Sequence, residues 1–261
     1  MIMKELAKEL EQLSPSRYAC SWDNVGLLVG RYDQEIKKVV VTLDATNEVI
    51  EEAKKRNADL ILTHHPIIFS SMKRVNDETI LGRKLMTLIE NTIACYAMHT
   101  NFDTMGGMAQ IAEQRLQLQN TIPLEVTAEE DGKLEGIGRV GMLERSMTLL
   151  ECANFVKETF SLPNVMIFGE EDRKVQKVAV CPGSGKGMMD EALKKGADVL
   201  ITGDIGHHDG VDALDAGLSI IDAGHHGLEH IFIAFMTKFL KEKFPELIVE
   251  PVDSKCPFWI V

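Results

Sequence analysis

The sequence predicts an α/β protein made of two related lobes, and two observations support that prediction. Short apolar segments typical of strands alternate with amphipathic segments typical of helices, as in proteins with a largely parallel sheet. The same strand–helix–strand pattern then occurs again, because residues 39–65 align without gaps with residues 178–204, and ADLILT in the first copy meets ADVLIT in the second. We therefore interpret the chain as an internal duplication.

The elements of the first copy follow from hydrophobic periodicity. An amphipathic helix is expected at the start of the chain, because Leu6, Leu10 and Leu13 recur at helical spacing. Beyond it, strands are expected at 37–44, 58–65 and 92–100, and helices at 46–57, 78–91 and 105–119.

The middle of the chain breaks this pattern. Residues 121–145 are rich in glycine and charge, with one strand expected in LEGIGRVGML, and a helix is expected at about 148–160 before the pattern restarts. These features predict an N-terminal α/β lobe, a short connecting segment and a C-terminal α/β lobe, with limits at 1–120, 121–175 and 176–261.

Composition limits the function and the compartment. The net charge of −12 argues against a surface that binds DNA or RNA, although a bound metal could still attract a nucleotide. The five cysteines are scattered and form no CxxC pair, as expected for reduced thiols. The N-terminal segment does not resemble a signal peptide, and no apolar run approaches the roughly 20 residues of a membrane span. We expect a cytoplasmic protein without membrane contact.

The histidines are the strongest functional signal. All eight fall in four short segments, each of which begins at the carboxyl end of an expected strand, where ligands collect in open parallel sheets. Carboxylates accompany them at Asp103, Asp204, Asp209, Asp222 and Glu229. Imidazole with carboxylate is a ligand set for Zn, Mn, Fe, Ni or Co. A set of unrelated helix caps or core histidines is the alternative that the clustering disfavours.

Individual positions suggest individual roles. His64 and His65 end a strand, where neighbouring side chains can splay toward two separate ions. His225 and Glu229 are four residues apart and would share one face of a helix. A second alignment, of AMHTNFD with AGHHGLE, makes Asp103 the counterpart of Glu229. Four of the other five histidines are candidates for second-shell, proton-transfer or substrate roles, or for structural ones: His99, His208, His226 and His230.

Five ordered motifs resemble one known family. SWDNVGLLVG, LTHHPIIF, HTNFD, TGDIGHHD and GHHGLEH, in this order and spacing, resemble the NIF3-like family, whose members are often called GTP cyclohydrolase 1 type 2 homologues. The resemblance covers essentially the whole chain. It implies two related α/β lobes that face each other across a dinuclear metal site, and assembly into a toroidal homohexamer. Carried over by motif, the metal ligands are His64, His65, Asp103, His225 and Glu229.

The resemblance also implies a chemistry. Two divalent ions per chain, zinc foremost and iron, manganese, nickel or cobalt as alternatives, would serve a metal-dependent hydrolase. A metal-activated water would attack the guanine C8 of GTP, or a phosphoester, with His99 and His226 as the catalytic side chains. The alternative is a non-catalytic metal-binding scaffold, metal chaperone or regulatory protein.

Three further segments have distinctive sequences that bear on function or assembly. PGSGKG (182–187) is not a phosphate-binding Walker loop, because Val180 replaces the first glycine and Gly187 the final Ser or Thr. Its glycines either face an anion or form a plain strand-to-helix turn. SWDNVG is placed near the metal cleft by resemblance, with Asp23 or Asn24 as second-shell groups, or else is a simple turn. The apolar tail PFWIV (257–261) is expected to be buried in its own core or against a neighbouring subunit.

Overall fold

The structure, a computed structural model, describes residues 1–260. In chain order its helices and strands are α1 (Met3–Leu13), β1 (Gly26–Val29), β2 (Lys38–Thr42), α2 (Asn47–Lys55), β3 (Leu60–Thr63), α3 (Ile80–Glu90), β4 (Ala94–Ala97), α4 (Thr100–Thr104), α5 (Met108–Arg115), β5 (Gln119–Glu130), β6 (Lys133–Thr148), α6 (Leu149–Phe160), β7 (Met166–Phe168), β8 (Lys174–Ser184), α7 (Met189–Lys194), β9 (Val199–Gly203), α8 (His207–Asp215), β10 (Ser219–Asp222), α9 (His225–Glu229), α10 (Ile231–Lys243) and β11 (Ile248–Pro251).

The chain forms two units, each with its own sheet. Unit 1 comprises Met1–Gly106 and Phe232–Lys255, and unit 2 comprises Gly107–Ile231 and the tail from Cys256. These limits differ from the 1–120, 121–175 and 176–261 expected from sequence. The difference arises because α10 and β11 return to unit 1, where β11 pairs with β2, while β5 and β6 join the sheet of unit 2.

The sheet of unit 1 has the order β1-β4-β3-β2-β11. Its central strands are parallel, and Val39, Val40 and Val41 of β2 are fully buried. Unbroken apolar runs of this kind occur where helices cover both faces of a sheet. The Thr46 hydroxyl caps α2 by accepting a hydrogen bond from the Val49 amide at 3.2 Å, which satisfies one amide at the helix start.

The sheet of unit 2 has the order β5-β6-β8-β9-β10-β7. The segment expected to be a connection is instead a long antiparallel hairpin of β5 and β6, in which Glu130 pairs with Lys133 across a two-residue turn. Asp131 and Gly132 form that turn with positive φ angles of 49° and 75°, the conformation that tight hairpins require.

The duplication is visible in hydrogen bonds as well as in topology. In β2–α2–β3, Val39 pairs with Leu60, and in β8–α7–β9 the aligned Val178 pairs with Val199. Asp59 accepts hydrogen bonds at 2.8 Å from the amides of Lys37 and Lys38. The aligned Asp198 accepts bonds of the same length from Gln176 and Lys177. Such matched details support descent of both units from one strand–helix–strand ancestor.

The second alignment proves to be displaced by one residue. The Met98 amide donates to Thr63 O, and the Ala223 amide donates to Thr202 O, so Met98 is the equivalent of Ala223. Glu229 therefore corresponds to Thr104 rather than to Asp103. The connection before the third strand is shorter in the second copy, so the gapless alignment of the first two strands did not fix the register of the third.

Other differences are local. The helix expected at 105–119 is shortened to α5, the separate short helix α4 precedes it, and β5 begins at its predicted end. Strands β1, β7 and β11, four residues long or less, were not expected. Within residues 1–260, every helix is too short or too polar to cross a bilayer. All five cysteines lie in this range, and none of them forms a disulfide.

Candidate metal centre

In unit 1, three imidazole rings meet at the carboxyl ends of neighbouring strands. His64 and His65 follow β3, and His99 follows β4. The nearest ring nitrogens of the three residues lie within 4.8 Å of one another, and this group could hold a metal ion. The His64 ring is fully buried, whereas His65 and His99 are partly exposed.

Hydrogen bonds fix which nitrogen of each ring faces the cluster. His64 Nδ1 lies 2.7 Å from Met98 O, and because a carbonyl oxygen only accepts, Nδ1 carries the proton. His65 Nδ1 lies 2.9 Å from a carboxylate oxygen of Asp44. A proton on Nδ1 leaves Nε2 as the nitrogen that can bind a metal, an arrangement common among metal-ligating histidines.

Asp103 adds a carboxylate to the same place. It lies on α4, and its amide donates to His99 O at 3.0 Å, which holds the helix against the end of β4. Asp103 Oδ1 is 3.6 Å from His64 Nε2. The structure thus brings together the three expected metal ligands of the first copy, His64, His65 and Asp103, with His99 beside them.

His99 is held from behind by a buried carboxylate. Asp23 Oδ1 lies 2.9 Å from His99 Nδ1, and Asp23 also accepts hydrogen bonds from the amide and the hydroxyl of Thr100. Burial alone would raise the pKa of Asp23, but the hydrogen bonds from His99 and Thr100 outweigh it and lower that pKa to about 2. Asp23 is therefore a carboxylate throughout the physiological pH range.

In unit 2, a histidine and a glutamate form a second pair of potential metal ligands. His225 Nε2 lies 2.9 Å from Glu229 Oε2 across one turn of α9, and Glu229 is buried. His225 Nδ1 lies 2.7 Å from Asp204, the residue that follows β9. His225 therefore resembles His65 in that its Nδ1 faces a carboxylate. Its Nε2 is turned toward Glu229.

Two glycines make room for this pair. A Cβ on Gly183, the first glycine of PGSGKG, would stand 2.3 Å from Glu229 Oε1. A Cβ on Gly203 would stand 2.3 Å from the His225 amide nitrogen. The first glycine of the loop thus serves close packing against the glutamate, which explains its place without an anion.

The remaining histidines lie in two ring pairs. His207 and His208 are exposed at the start of α8, with ring centroids 5.2 Å apart. The rings of His226 and His230 are 5.5 Å apart at α9. Asp44 is a neighbour of the cluster that the sequence reasoning missed, although its position at the end of the expected strand 37–44, like that of His65 at the end of the expected strand 58–65, was an available signal.

The donor chemistry of both groups fits a divalent metal. Within residues 1–260, the groups with metal-ligand spacing offer imidazole nitrogens and a carboxylate, and no thiolate. Nitrogen and oxygen donors suit Zn, Mn, Fe, Ni and Co, whereas soft metals prefer sulfur. Anchored imidazoles in a preset orientation reduce the entropy lost on metal binding, since the rings need not be ordered first.

Comparison with known proteins identifies relatives over the full length. The family model described as Duf34/NIF3 (NGG1p interacting factor 3) matches residues 1–257. A Clostridium perfringens protein called GTP cyclohydrolase 1 type 2 homolog is 36% identical over an alignment of 262 positions that covers 99% of each chain. The crystal structure of a Bacillus cereus protein related to NIF3 superposes with a TM-score of 0.92 at 26% identity, covering 100% of this chain and 99% of that one. Reduced HcgD from Methanocaldococcus jannaschii gives 0.82 at 30%, covering 96% and 97%.

Proposed function

Because this chain belongs to the Duf34/NIF3 family, we propose that it is a metal-dependent hydrolase that binds two divalent ions per chain. The proposed ligands are those of the sequence motifs: His64, His65, Asp103, His225 and Glu229. Zinc is the foremost metal, with iron, manganese, nickel and cobalt as alternatives that accept the same donors.

The observation that carries the proposal is the anchoring of Nδ1 in the three ligand histidines. His64, His65 and His225 each direct Nδ1 at an oxygen, and the oxygens belong to Met98, Asp44 and Asp204. Structural histidines use either nitrogen for such bonds. A shared choice of Nδ1 leaves three Nε2 atoms in the orientation that metal binding requires.

Bound ions would supply an activated water and a clamp for the oxygen atoms of a substrate. The chain's own contribution is to manage protons beside them. His99 is held by Asp23 in one orientation next to His64 and His65, as expected of a general acid or base. His226 neighbours the ligand His225 in sequence, and we assign it to proton transfer or substrate contact.

The names of the relatives support opening of the guanine ring of GTP by attack at C8 as the reaction, and hydrolysis of a phosphoester by the same groups is the second enzyme reading. We further propose a cytoplasmic location, which the five cysteines without disulfides support. The excess of acidic over basic residues supports a small-molecule substrate over a nucleic acid.

Assembly into a toroidal homohexamer completes the proposal. The apolar tail supports it, because Phe258, Trp259 and Ile260 are largely exposed on the single chain and do not enter its core. Exposed apolar side chains in sequence are typical of a contact with another subunit. The expected burial in the chain's own core does not occur for these residues, and Val261 lies outside the described residues.

A turnover assay separates a catalyst from a metal scaffold. Metal-loaded protein is incubated with GTP and with a panel of phosphoesters, and product is measured against pH. We expect activity that rises toward neutral pH as the bound water ionises. Glu229→Gln, which keeps size but removes a ligand charge, should abolish turnover.

The matched variants distinguish a proton-transfer role from a ligand role. His226→Ala should keep the metal content and lower turnover by about 100-fold, the scale of one general acid or base. His208→Ala, at an exposed helix start, should change neither. If wild-type protein with both ions bound hydrolyses none of these compounds, the hydrolase proposal is wrong and a scaffold or chaperone takes its place.

A further inference from the structure

Two large aromatic side chains of unit 1 are exposed beside the histidine cluster. Trp22 is 58% exposed and Phe69 is 56% exposed, although both belong to residue types that are usually well buried. Their ring centroids are 5.7 Å apart and their planes are tilted by 45°, so the two rings form one continuous but angled apolar surface. Exposed rings in contact with each other, next to candidate catalytic groups, are typical of a ligand-contact surface.

This surface is continuous with the proposed proton-transfer residue. The His99 ring centroid lies 6.0 Å from that of Trp22 and 6.4 Å from that of Phe69, both in edge-on geometry. On its other side, His99 is 5.1 Å from the His64 ring and 5.5 Å from the His65 ring. A molecule resting on Trp22 and Phe69 would therefore have its edge at His99.

Polar contacts of the residues next to Trp22 and Phe69 in sequence hold the two exposed rings in place. Asn24 Nδ2 donates to Ile68 O at 2.7 Å, which ties the loop carrying Trp22 to the segment carrying Phe69. Asp23 accepts a hydrogen bond from the Asn24 amide and also holds His99. Trp22 thus supplies one of the two exposed rings. Asp23 holds His99 by a hydrogen bond, and Asn24 ties the loop of Trp22 to the segment that carries Phe69.

We propose that Trp22 and Phe69 form an aromatic platform on which a planar heteroaromatic ring of the substrate stacks, with its edge presented to His99. Every heteroaromatic base has a π-face, and stacking on exposed aromatic side chains is its usual mode of sequence-independent binding. A phosphoester without a ring would gain nothing from such a surface. The inference rests on the proposed function and selects between its two substrate classes in favour of the ring-bearing one.

Tryptophan fluorescence tests the platform without requiring turnover. The chain has two tryptophans, so Trp259→Phe leaves Trp22 as the single reporter. Guanosine, which has the ring without phosphate, is titrated into this variant, and ribose 5-phosphate, which has phosphate without the ring, is titrated in parallel. We expect saturable quenching by guanosine and none by ribose 5-phosphate. Trp22→Phe, which retains only Trp259, controls for light absorbed by guanosine.

Substitutions at Phe69 test the second ring. Phe69→Leu keeps an apolar side chain but removes the π-face, and it should weaken guanosine binding about tenfold, the effect of losing one stacking contact. Phe69→Tyr keeps the ring and should retain the wild-type affinity. Phe69 is exposed, so neither substitution should affect folding, and circular dichroism verifies this.

Three results would overturn the platform. They are absence of quenching by guanosine, equal quenching by ribose 5-phosphate, and equal affinity of the Phe69→Leu and Phe69→Tyr variants. A fall in mass of Phe69→Leu by light scattering would also overturn it, since the rings would then be a contact with a second copy. Turnover of GTP without guanosine quenching refutes the platform and leaves the hydrolase standing, whereas quenching without turnover does the reverse.

Discussion

At the scale of single residues, the candidate site depends on the hydrogen-bond partner of Nδ1 in each imidazole. His65, His99 and His225 all direct Nδ1 at a carboxylate, and His64 directs it at a main-chain carbonyl. These partners fix the ring orientation and the tautomer before any ligand arrives. Burial alone would raise the pKa of Asp23, the carboxylate that accepts from His99, but hydrogen bonds from His99 and Thr100 lower it to about 2.

The ionisation of Asp23 should contribute to stability in a defined pH range. Its pKa of about 2 in the folded protein lies below the ordinary value of 3.8. The contribution, roughly 2 kcal/mol, is therefore complete above about pH 4 and is lost as the pH falls toward 2. Urea unfolding of wild type and Asp23→Asn at several pH values should show a stability gap of this size at pH 7 that narrows below pH 4.

A matched control uses an exposed carboxylate. Asp33→Asn alters a side chain that is 78% exposed and paired only at the surface, and it should leave the free energy of unfolding nearly unchanged. A gap between wild type and Asp23→Asn that stays constant from pH 7 to pH 2.5 would show that the carboxylate charge of Asp23 contributes nothing.

At the scale of elements, periodicity predicted most of the first copy, and tertiary pairing decided the rest. The buried runs VVV and LIL were recognisable as strands because parallel strands covered on both faces are uniformly apolar. Of the β5–β6 hairpin, only the strand in LEGIGRVGML, which lies within β6, was expected, because β5 carries many exposed polar residues. The Asp131–Gly132 turn is the sequence signal for the hairpin. Strands β1 and β11 gain their identity from the neighbours β4 and β2, which no local pattern reveals.

The duplicated aspartates should stabilise their sheets equally. Asp59 and Asp198 each accept two main-chain hydrogen bonds at the start of an inner strand, so removing either leaves two amide donors without that partner. We expect Asp59→Ala and Asp198→Ala each to cost about 1–2 kcal/mol.

Amide hydrogen exchange locates these effects. Asp59→Ala should accelerate exchange in β2 and leave exchange in β8 unchanged. Asp198→Ala should accelerate exchange in β8 and leave β2 unchanged, because each aspartate accepts its two hydrogen bonds within its own unit. Loss of protection in only one of the two variants would show that the two aspartates do not stabilise their sheets equally.

At the scale of the whole molecule, the sequence predicted the clustering of potential metal ligands better than the surface around them. The histidines could be found because they cluster in sequence and recur in motifs. Asp44 and Trp22 lie in segments separate from His64 and His65, and only folding brings them beside the histidine cluster. Phe69 belongs to the LTHHPIIF motif itself, but its contact with Trp22 depends on the fold. The contact between the Trp22 and Phe69 rings has no local pattern, so it could not be foreseen from single segments of the chain.

The tail and the net charge bear on assembly. If the exposed apolar tail contacts another subunit, light scattering should give a mass six times that of the 29.1 kDa chain. Trp259→Asp would place a charge in the contact and should reduce that mass, whereas Trp259→Phe should preserve it. A wild-type protein that remains monomeric at micromolar concentration would refute the homohexamer.

The metal content of the purified protein tests the central claim most directly. Protein prepared without chelators and supplied with zinc is analysed by mass spectrometry of its elements. We predict two divalent ions per chain in wild type and in His208→Ala, and loss of most of the metal in the double variant His64→Ala, His65→Ala. Wild-type protein that neither retains a divalent ion on purification nor takes one up on reconstitution would contradict the account.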